Sequence, residues 1–389
     1  MRSLYLVAAV TMAGVSSVFA LMAELEHRYQ LPTSSLGWIA GSAFVAALMT
    51  QLSLSRYADR GHAATLLRAG VIVSAVGLIW FGLGTVLWQF VAARALLGAG
   101  VGMIIPPARR AIIVTSGQNQ GEGLGMFYAA YLTGFVFGPP LAGLITVLVD
   151  VRVPFIVLGA AVALSFLSVV RLEIPEADPN TVRSVTERRV NRRLLVDRRV
   201  IAALLVIVSF RYSIGVVEPL WAIHLDNLGA PTMLITLSLT GFALPMLVVA
   251  RRAGALSDTH GPRLTSLLSA AATVPLMAAY GYVGSVPLIM AMAVPHGLME
   301  AVQSPGSQAA LADAAPTDDA AAAQGLGEAA GSAAAGVGAF SAAPLFASLG
   351  PGPAWLIAGL VMTALLSVSA MLDRPRRRLP ATELASIDG

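Results

Sequence analysis

The 389-residue chain contains no cysteine. Disulfides, thiolate catalysis and cysteine-ligated metals are therefore excluded. It has no lysine either: all 25 basic residues are arginine. Charge of both signs is scarce. Charged residues make up 12% of the chain and hydrophobic ones 57%, with a mean hydropathy of +0.76. Ordinary soluble domains are roughly 25% charged, so this chain could not cover a soluble surface. No P-loop, His-Glu-x-x-His, Gly-x-Ser-x-Gly or metal-ligand cluster is present. ATP, a metal, a cofactor and an enzymatic reaction are accordingly not expected. The net charge of +4 is not a nucleic-acid signal, because the arginines are segregated along the chain rather than gathered in a patch.

What fills the chain instead is apolar segments of about 20 residues or more, the length that crosses roughly 30 Å of hydrocarbon. The short alternating segments of a membrane barrel are absent. The expected fold class is an all-α membrane protein with twelve transmembrane helices, at about 4–26, 34–57, 64–84, 87–112, 121–148, 152–172, 200–225, 232–255, 263–284, 286–311, 319–348 and 352–373. The first of these has signal-peptide features. Its apolar run is too long for one and ends in Glu24 and Glu26, so it is expected to be retained.

Arg56, Arg60, Arg68, Arg109, Arg110, Arg251, Arg252, Arg263 and the tail "RPRRR" lie at alternate ends of these helices, and 173–199 holds seven more arginines. Only Arg28 and Arg152 fall at the opposite ends. The positive-inside rule then puts both termini in the cytoplasm. The expected location is the cell membrane, specifically a bacterial inner membrane. All five tryptophans (Trp38, Trp80, Trp88, Trp221, Trp355) fall on the outer half, as in an interfacial belt.

The polar stretch 173–199 divides the chain into an N-terminal six-helix bundle (1–172), a cytoplasmic linker (173–199), a C-terminal six-helix bundle (200–373) and a cytoplasmic tail (374–389). The linker's arginines suit anionic lipid. The halves echo one another: "LPTSSLGWIAG" at 31–41 aligns with "APTMLITLSLT" at 230–240, and "YADRG" at 57–61 with "LSDTH" at 256–260, both offset by 199 residues. "GLG" recurs at 123–125 and 325–327. Two repeated halves around a shared site is a transporter arrangement.

Three local patterns add to this. "GALSDTHGPR" carries Gly254, Asp258, Gly261 and Arg263, and its first-half counterpart "SRYADRGHAA" keeps Asp59 and Arg60. "RALLGAGVG" carries Arg94, Gly98, Gly100 and Gly102. "GMFYAAYLTGFVFGPPLAG" places Gly125, Gly134, Gly138, Pro139 and Gly143 in one helix, although glycine and proline are its poorest formers. Glycines on one helix face admit a neighbouring backbone, and proline bends a helix. Such a seam suits either static packing or two lobes moving over one another.

These patterns resemble the loop between helices 2 and 3, the helix-4 motif and the helix-5 antiporter signature of the major facilitator superfamily, and the resemblance covers essentially the whole chain. The first-half loop departs from the family pattern at Ser55, His62, Ala63 and Ala64, and Ala142 replaces one signature glycine. The resemblance implies two pseudo-symmetric bundles and a twelve-helix drug:proton antiporter exporting small amphipathic molecules by alternating access. It makes Asp59, Arg60, Gly254, Asp258, Gly261 and Arg263 a cytoplasmic-gate loop and the 125–143 seam a conformational interface. The alternatives are an importer or facilitator of a small nutrient and a polytopic protein that does not transport.

Ionisable groups inside a bilayer are functional candidates. The candidates for proton coupling are Glu24, Glu218, Glu300, Arg94, Arg211 and His296. Expected pairs are Glu24 with Arg94 and Arg211 with Glu300. Glu218 and Glu300 are the expected proton carriers, Arg94 and Arg211 the tuning cations, and His296 a relay or a structural partner. Phe127, Tyr128 and Tyr131 are expected either to stack on an apolar substrate or to serve as core. Glu328 is a minor candidate, and Glu122 an N-terminal helix charge. The partners implied are a small-molecule substrate, protons and lipid.

Overall fold

The structure is a computed structural model that describes residues 1–57, 62–116, 120–172, 174, 194–316 and 319–373. Among these residues every regular element is helical. The helices are α1 (Arg2–Ala20), α2 (Met22–Tyr29), α3 (Leu36–Tyr57), α4 (Ala63–Leu83), α5 (Leu87–Ser116), α6 (Gln120–Leu148) and α7 (Val153–Val169). They continue as α8 (Arg198–Asn227), α9 (Thr232–His260), α10 (Pro262–Ala279), α11 (Val286–Ala314), α12 (Ala320–Leu349) and α13 (Pro351–Asp373). Among the described residues eleven helices are long and apolar enough to cross a membrane, and α7, at 17 residues, is a shorter apolar one. Helices α1 and α2 are two parts of one predicted helix, broken at Leu21.

The spans form two groups. In the first, α4 packs on α5 and α7, α3 on α5, and α1 on α6 and α7. In the second, α8 packs on α12 and α13, α11 on α9 and α10, and α10 on α13. The groups meet where α3 lies on α12 and α6 on α9. The most enclosed spans are α8, with 72% of its apolar window buried, and α1, with 61%. We call the side where α1 begins the terminal face and the opposite side the far face.

Lipid tails are as apolar as leucine, so helices here associate through close packing rather than through escape from water. Glycines supply the approach. A Cβ on Gly98 would lie 2.2 Å from the Ala43 carbonyl oxygen of α3, and one on Gly100 2.2 Å from Ser74 Oγ of α4. The glycines of α6 do the same, but against two different partners. A Cβ on Gly134 would meet the Ala9 oxygen at 2.0 Å, and one on Gly138 the Ala13 Cα at 2.6 Å; both partners belong to α1 of the same group. Only Gly143, at 2.3 Å from Thr236 Oγ1, meets the other group, and Gly125 has nothing within 4 Å. Of the glycines expected at a conformational interface, Gly134 and Gly138 thus pack within one group and Gly143 against the other.

Helix α6 runs on through Pro139 and Pro140. Proline has no N–H to give the carbonyl four residues back, so Pro140 frees the Val136 carbonyl. That carbonyl accepts the Thr240 hydroxyl of α9 at 2.6 Å. The proline's defect becomes a bond between lobes.

At the terminal face, Arg68 donates to the carbonyls of Val169 (3.2 Å) and Leu172 (2.9 Å), covering the open C-terminus of α7. Gly261 turns α9 into α10 at φ +87°, a conformation that favours glycine, and Arg263, two residues on, meets Asp373. Gly254 and Asp258 fall within α9, while Asp59 and Arg60 lie outside the described residues. The tryptophan belt needs correction. Trp38 and Trp88 are exposed, but Trp221 and Trp355 are fully buried around Tyr280. Indole is amphipathic enough for a membrane interface, yet these two rings serve as lobe core.

Candidate functional site

The lobes touch along the far half of the membrane. Gly37 abuts the Ala339 carbonyl, Gly41 abuts the Phe340 ring, and Trp38 packs edge-on to Phe340 at 5.1 Å. At the far face His27 Nε2 lies 2.6 Å from Asp226 Oδ2, and Thr232 donates to Glu24. Toward the terminal face Gly125 and Gly325 face open space. The groups are in contact at the far end, and nearer the terminal face Arg109 of one reaches Glu328 of the other.

Three sets of charged or titratable side chains occupy this frame. The first joins the lobes: Arg94 of α5 donates from Nη2 to Glu218 Oε1 of α8. The two side chains are 2% and 7% exposed. Both groups give up water, so the pair needs the other's charge to be tolerable. Arg94 sits seven residues into α5 from the far face, about 10 Å at 1.5 Å per residue. Glu24, its expected partner, points instead to Thr232. Glu24 lies on α2, beyond the break at Leu21, and so stands too near the far face to reach Arg94.

The second set lies nearer the terminal face. Arg211 Nη2 of α8 donates to Glu328 Oε2 of α12 at 2.7 Å, and Arg109 Nη1 of α5 reaches Glu328 Oε1 at 3.4 Å. Arg211 therefore does not meet Glu300. Gly331 explains why: a Cβ there would lie 2.7 Å from Arg211 Cγ, so its absence lets the arginine stem lie on α12. Across from this set, Tyr128 and Tyr131 of α6 present parallel rings, 6.2 Å apart and 9° from coplanar. Tyr128 lies beside Ser304 of α11. Phe127 turns away and is buried. It lines a small apolar crevice with Ala8, Thr11, Val101, Ile104 and Tyr131.

The third set is enclosed in the second lobe. Glu300 Oε1 lies 3.4 Å from His296 Nε2 and accepts from Ser213 Oγ at 3.4 Å, while His296 Nδ1 is 3.0 Å from the Tyr280 hydroxyl. His296 also stacks on Tyr280. His296 and Glu300 meet as the i, i+4 spacing predicts, but within one lobe.

Sequence reasoning took Arg109 for a topology marker and did not single out Tyr280, Thr232, His27 or Asp226. Two signals were present. Arg109 lies inside the apolar span of α5, Leu87–Ile112, rather than in a loop. His27 and Asp226 differ by 199 residues, the offset of the internal repeat.

The sequence profile of the Major Facilitator Superfamily matches residues 4–220 and again 200–386. The chain is 24% identical over 238 residues to "Multidrug resistance protein 1" of Bacillus subtilis (strain 168), covering 60% of this chain and 61% of that protein. It is 25% identical over 229 residues to "Multidrug resistance protein MdtG" of Rahnella sp. (strain Y9602), covering 57% and 55%. The alignments thus span a little over half the length of these relatives. The fold matches the nucleoside transporter NupG (D323A mutant) with a TM-score of 0.81 at 11% identity, over 96% of this chain and 99% of that one. It matches a bacterial homologue of the human lysosomal transporter Spinster, in an inward-facing and occupied conformation, with a TM-score of 0.75 at 14% identity, over 95% and 94%.

Proposed function

We infer the activity from one premise: the chain belongs to the major facilitator superfamily, a family of membrane transporters. We propose that it is a secondary active exporter that expels small amphipathic molecules in exchange for protons, by alternating access. In this reading the terminal face is cytoplasmic and the far face is external, as the arginine distribution suggests. The relatives' printed names, multidrug resistance proteins, favour export of foreign compounds.

The observation that carries the reading is the Arg94–Glu218 pair, buried and shared between lobes. Opening the external side parts it. Glu218 then faces outside water without its guanidinium and takes up a proton. Closing brings the carboxyl back to Arg94, re-forms the ion pair and sheds the proton toward the inner cavity. Cargo enters that cavity from the cytoplasm, near Arg211, Glu328 and the two tyrosines, and leaves when the external side opens. Glu300, held by His296 and Ser213 inside one lobe, is a second site where a proton could rest. The thermodynamic drive comes from the proton gradient rather than ATP.

The test is reconstitution in vesicles with an imposed pH gradient and a panel of dyes and antibiotics. Efflux that follows the gradient and reverses with its sign is expected, with coupling lost in Glu218→Gln. Accumulation of a nutrient down the proton gradient would assign import instead. Full coupling in both Glu218→Gln and Glu300→Gln would end the proton mechanism.

A further inference from the structure

We propose that the inner cavity selects amphiphiles with an anionic head and a planar aromatic body; this rests on the exporter reading and names its cargo class. Four helices bring the relevant groups to one level. Counted from the terminal ends of their helices, Arg109, Tyr128, Glu328 and Arg211 lie seven, eight, eight and thirteen residues in. At 1.5 Å per residue this is a layer about 10 to 20 Å from the terminal ends of the helices.

In that layer two guanidinium groups share one carboxylate. Arg211 takes the short contact with Glu328, and Arg109 keeps only the 3.4 Å one while its side chain stays 48% exposed. A charge at this depth is costly unless paired or facing a watered cavity. Arg109 thus keeps half of its side chain exposed, with a planar fork that matches a carboxylate or sulfonate in two bonds. The other acid near this layer, Glu300, does not compete. Its side chain is 5% exposed and is occupied by His296 and Ser213. Near the guanidinium groups, the parallel rings of Tyr128 and Tyr131 offer a face to an aromatic body. Positive head site and aromatic wall together describe an anionic aromatic amphiphile; a lipophilic cation would meet Arg109 head-on.

Fluorescein and rhodamine 6G share a xanthene ring system and carry opposite charge. Binding of each to the full chain in lipid nanodiscs, followed by fluorescence anisotropy at fixed pH, reads the head preference without any transport. Fluorescein is expected to bind more tightly than rhodamine 6G. Arg109→Gln should weaken fluorescein by about tenfold, the loss of one charge-assisted contact, and Arg109→Lys should restore part of it. If Arg109→Gln fails to fold, rising salt, which screens the head, should weaken fluorescein alone. Tighter rhodamine 6G binding, or fluorescein binding indifferent to both Arg109 and salt, overturns the cargo class. In vesicles, gradient-driven movement of rhodamine 6G alone would overturn the class and leave the exporter standing. Fluorescein binding without gradient-driven movement would support the class and count against the exporter.

Discussion

Glu218→Gln is the most informative single change. In the structure Arg94 is 2% exposed and Glu218 is its carboxylate partner from the other lobe. Removing one member of such a pair leaves the other buried and uncompensated, which costs about 3–5 kcal/mol. The double variant Arg94→Gln/Glu218→Gln leaves no orphan charge, so its cost should fall well below the sum of the singles. On the alternating-access reading proposed above, the cost falls on the conformation closed at the far face, because opening there would separate the partners. Each single variant should therefore shift the population toward far-face opening. The absence of cysteine supplies a reporter. Thr236 is fully buried against Gly143 between the lobes, so Thr236→Cys is one thiol, shielded while the far face is closed. A membrane-impermeant thiol reagent should label it at least about tenfold faster in the Glu218→Gln background, and the double variant should return most of the way to the parent rate. Additive effects of the two singles, or labelling rates unchanged by either, would show that the pair does not hold the lobes together.

Three other outcomes follow from particular contacts. His27 titrates with its pKa raised above 6.5, chiefly by the hydrogen bond to Asp226. Its help to far-face closure is complete below about pH 6.5 and is lost as pH rises through the raised value, so Thr236→Cys labelling should quicken with alkalinity and His27→Gln should flatten that profile. Thr240→Val should cost about 1–3 kcal/mol by stranding the Val136 carbonyl, and should be close to neutral in Pro140→Ala, where a backbone N–H can take that carbonyl; equal costs in the two backgrounds would count against the coupling. Gly134→Ala puts a Cβ 2.0 Å from the Ala9 oxygen and should lower thermal stability by about 1–3 kcal/mol, whereas Gly125→Ala, with nothing within 4 Å, should be neutral or gain up to about 1 kcal/mol, as unfolding in detergent would show.

The spans were legible because their signal is local: twenty apolar residues announce a helix wherever they sit. The repeat offset was legible for the same reason. Side-chain partners were not, because they depend on rotation about each helix axis and on which helices adjoin. Arg94 was rightly read as a buried cation, yet its partner came from α8 rather than from Glu24, since the break at Leu21 carries Glu24 past it. Arg211 was expected to pair with Glu300, and Gly331 lets it lie on α12 instead. The glycines of α6 were legible as places of close approach, but sequence could not say that Gly134 and Gly138 approach α1 while Gly143 approaches α9.

The internal repeat does more than relate the halves, because it sets how the far face closes. Shifting Gly37 by the 199-residue offset gives Thr236. Gly37 packs against Ala343 of α12, and Thr236 packs against Gly143 of α6, which lies 200 residues before Ala343. The two lobe contacts are thus mates, each half offering the same two surfaces to the other. His27 and Asp226 are separated by the same 199 residues, so they are equivalent positions that meet each other, which two equivalent points do only beside the axis relating the halves. A contact near the axis moves least when the lobes rock, while those flanking it move more. His27–Asp226 is therefore placed to act as a pivot or final latch, and Gly37 and Thr236 to report opening. Arg94–Glu218 breaks this symmetry, since neither is the other's mate by that offset. Of the charge pairs that cross the boundary among the described residues, Arg94–Glu218 is the most deeply buried, with side chains 2% and 7% exposed, so it is the one whose separation would free a carboxylate from the greatest burial.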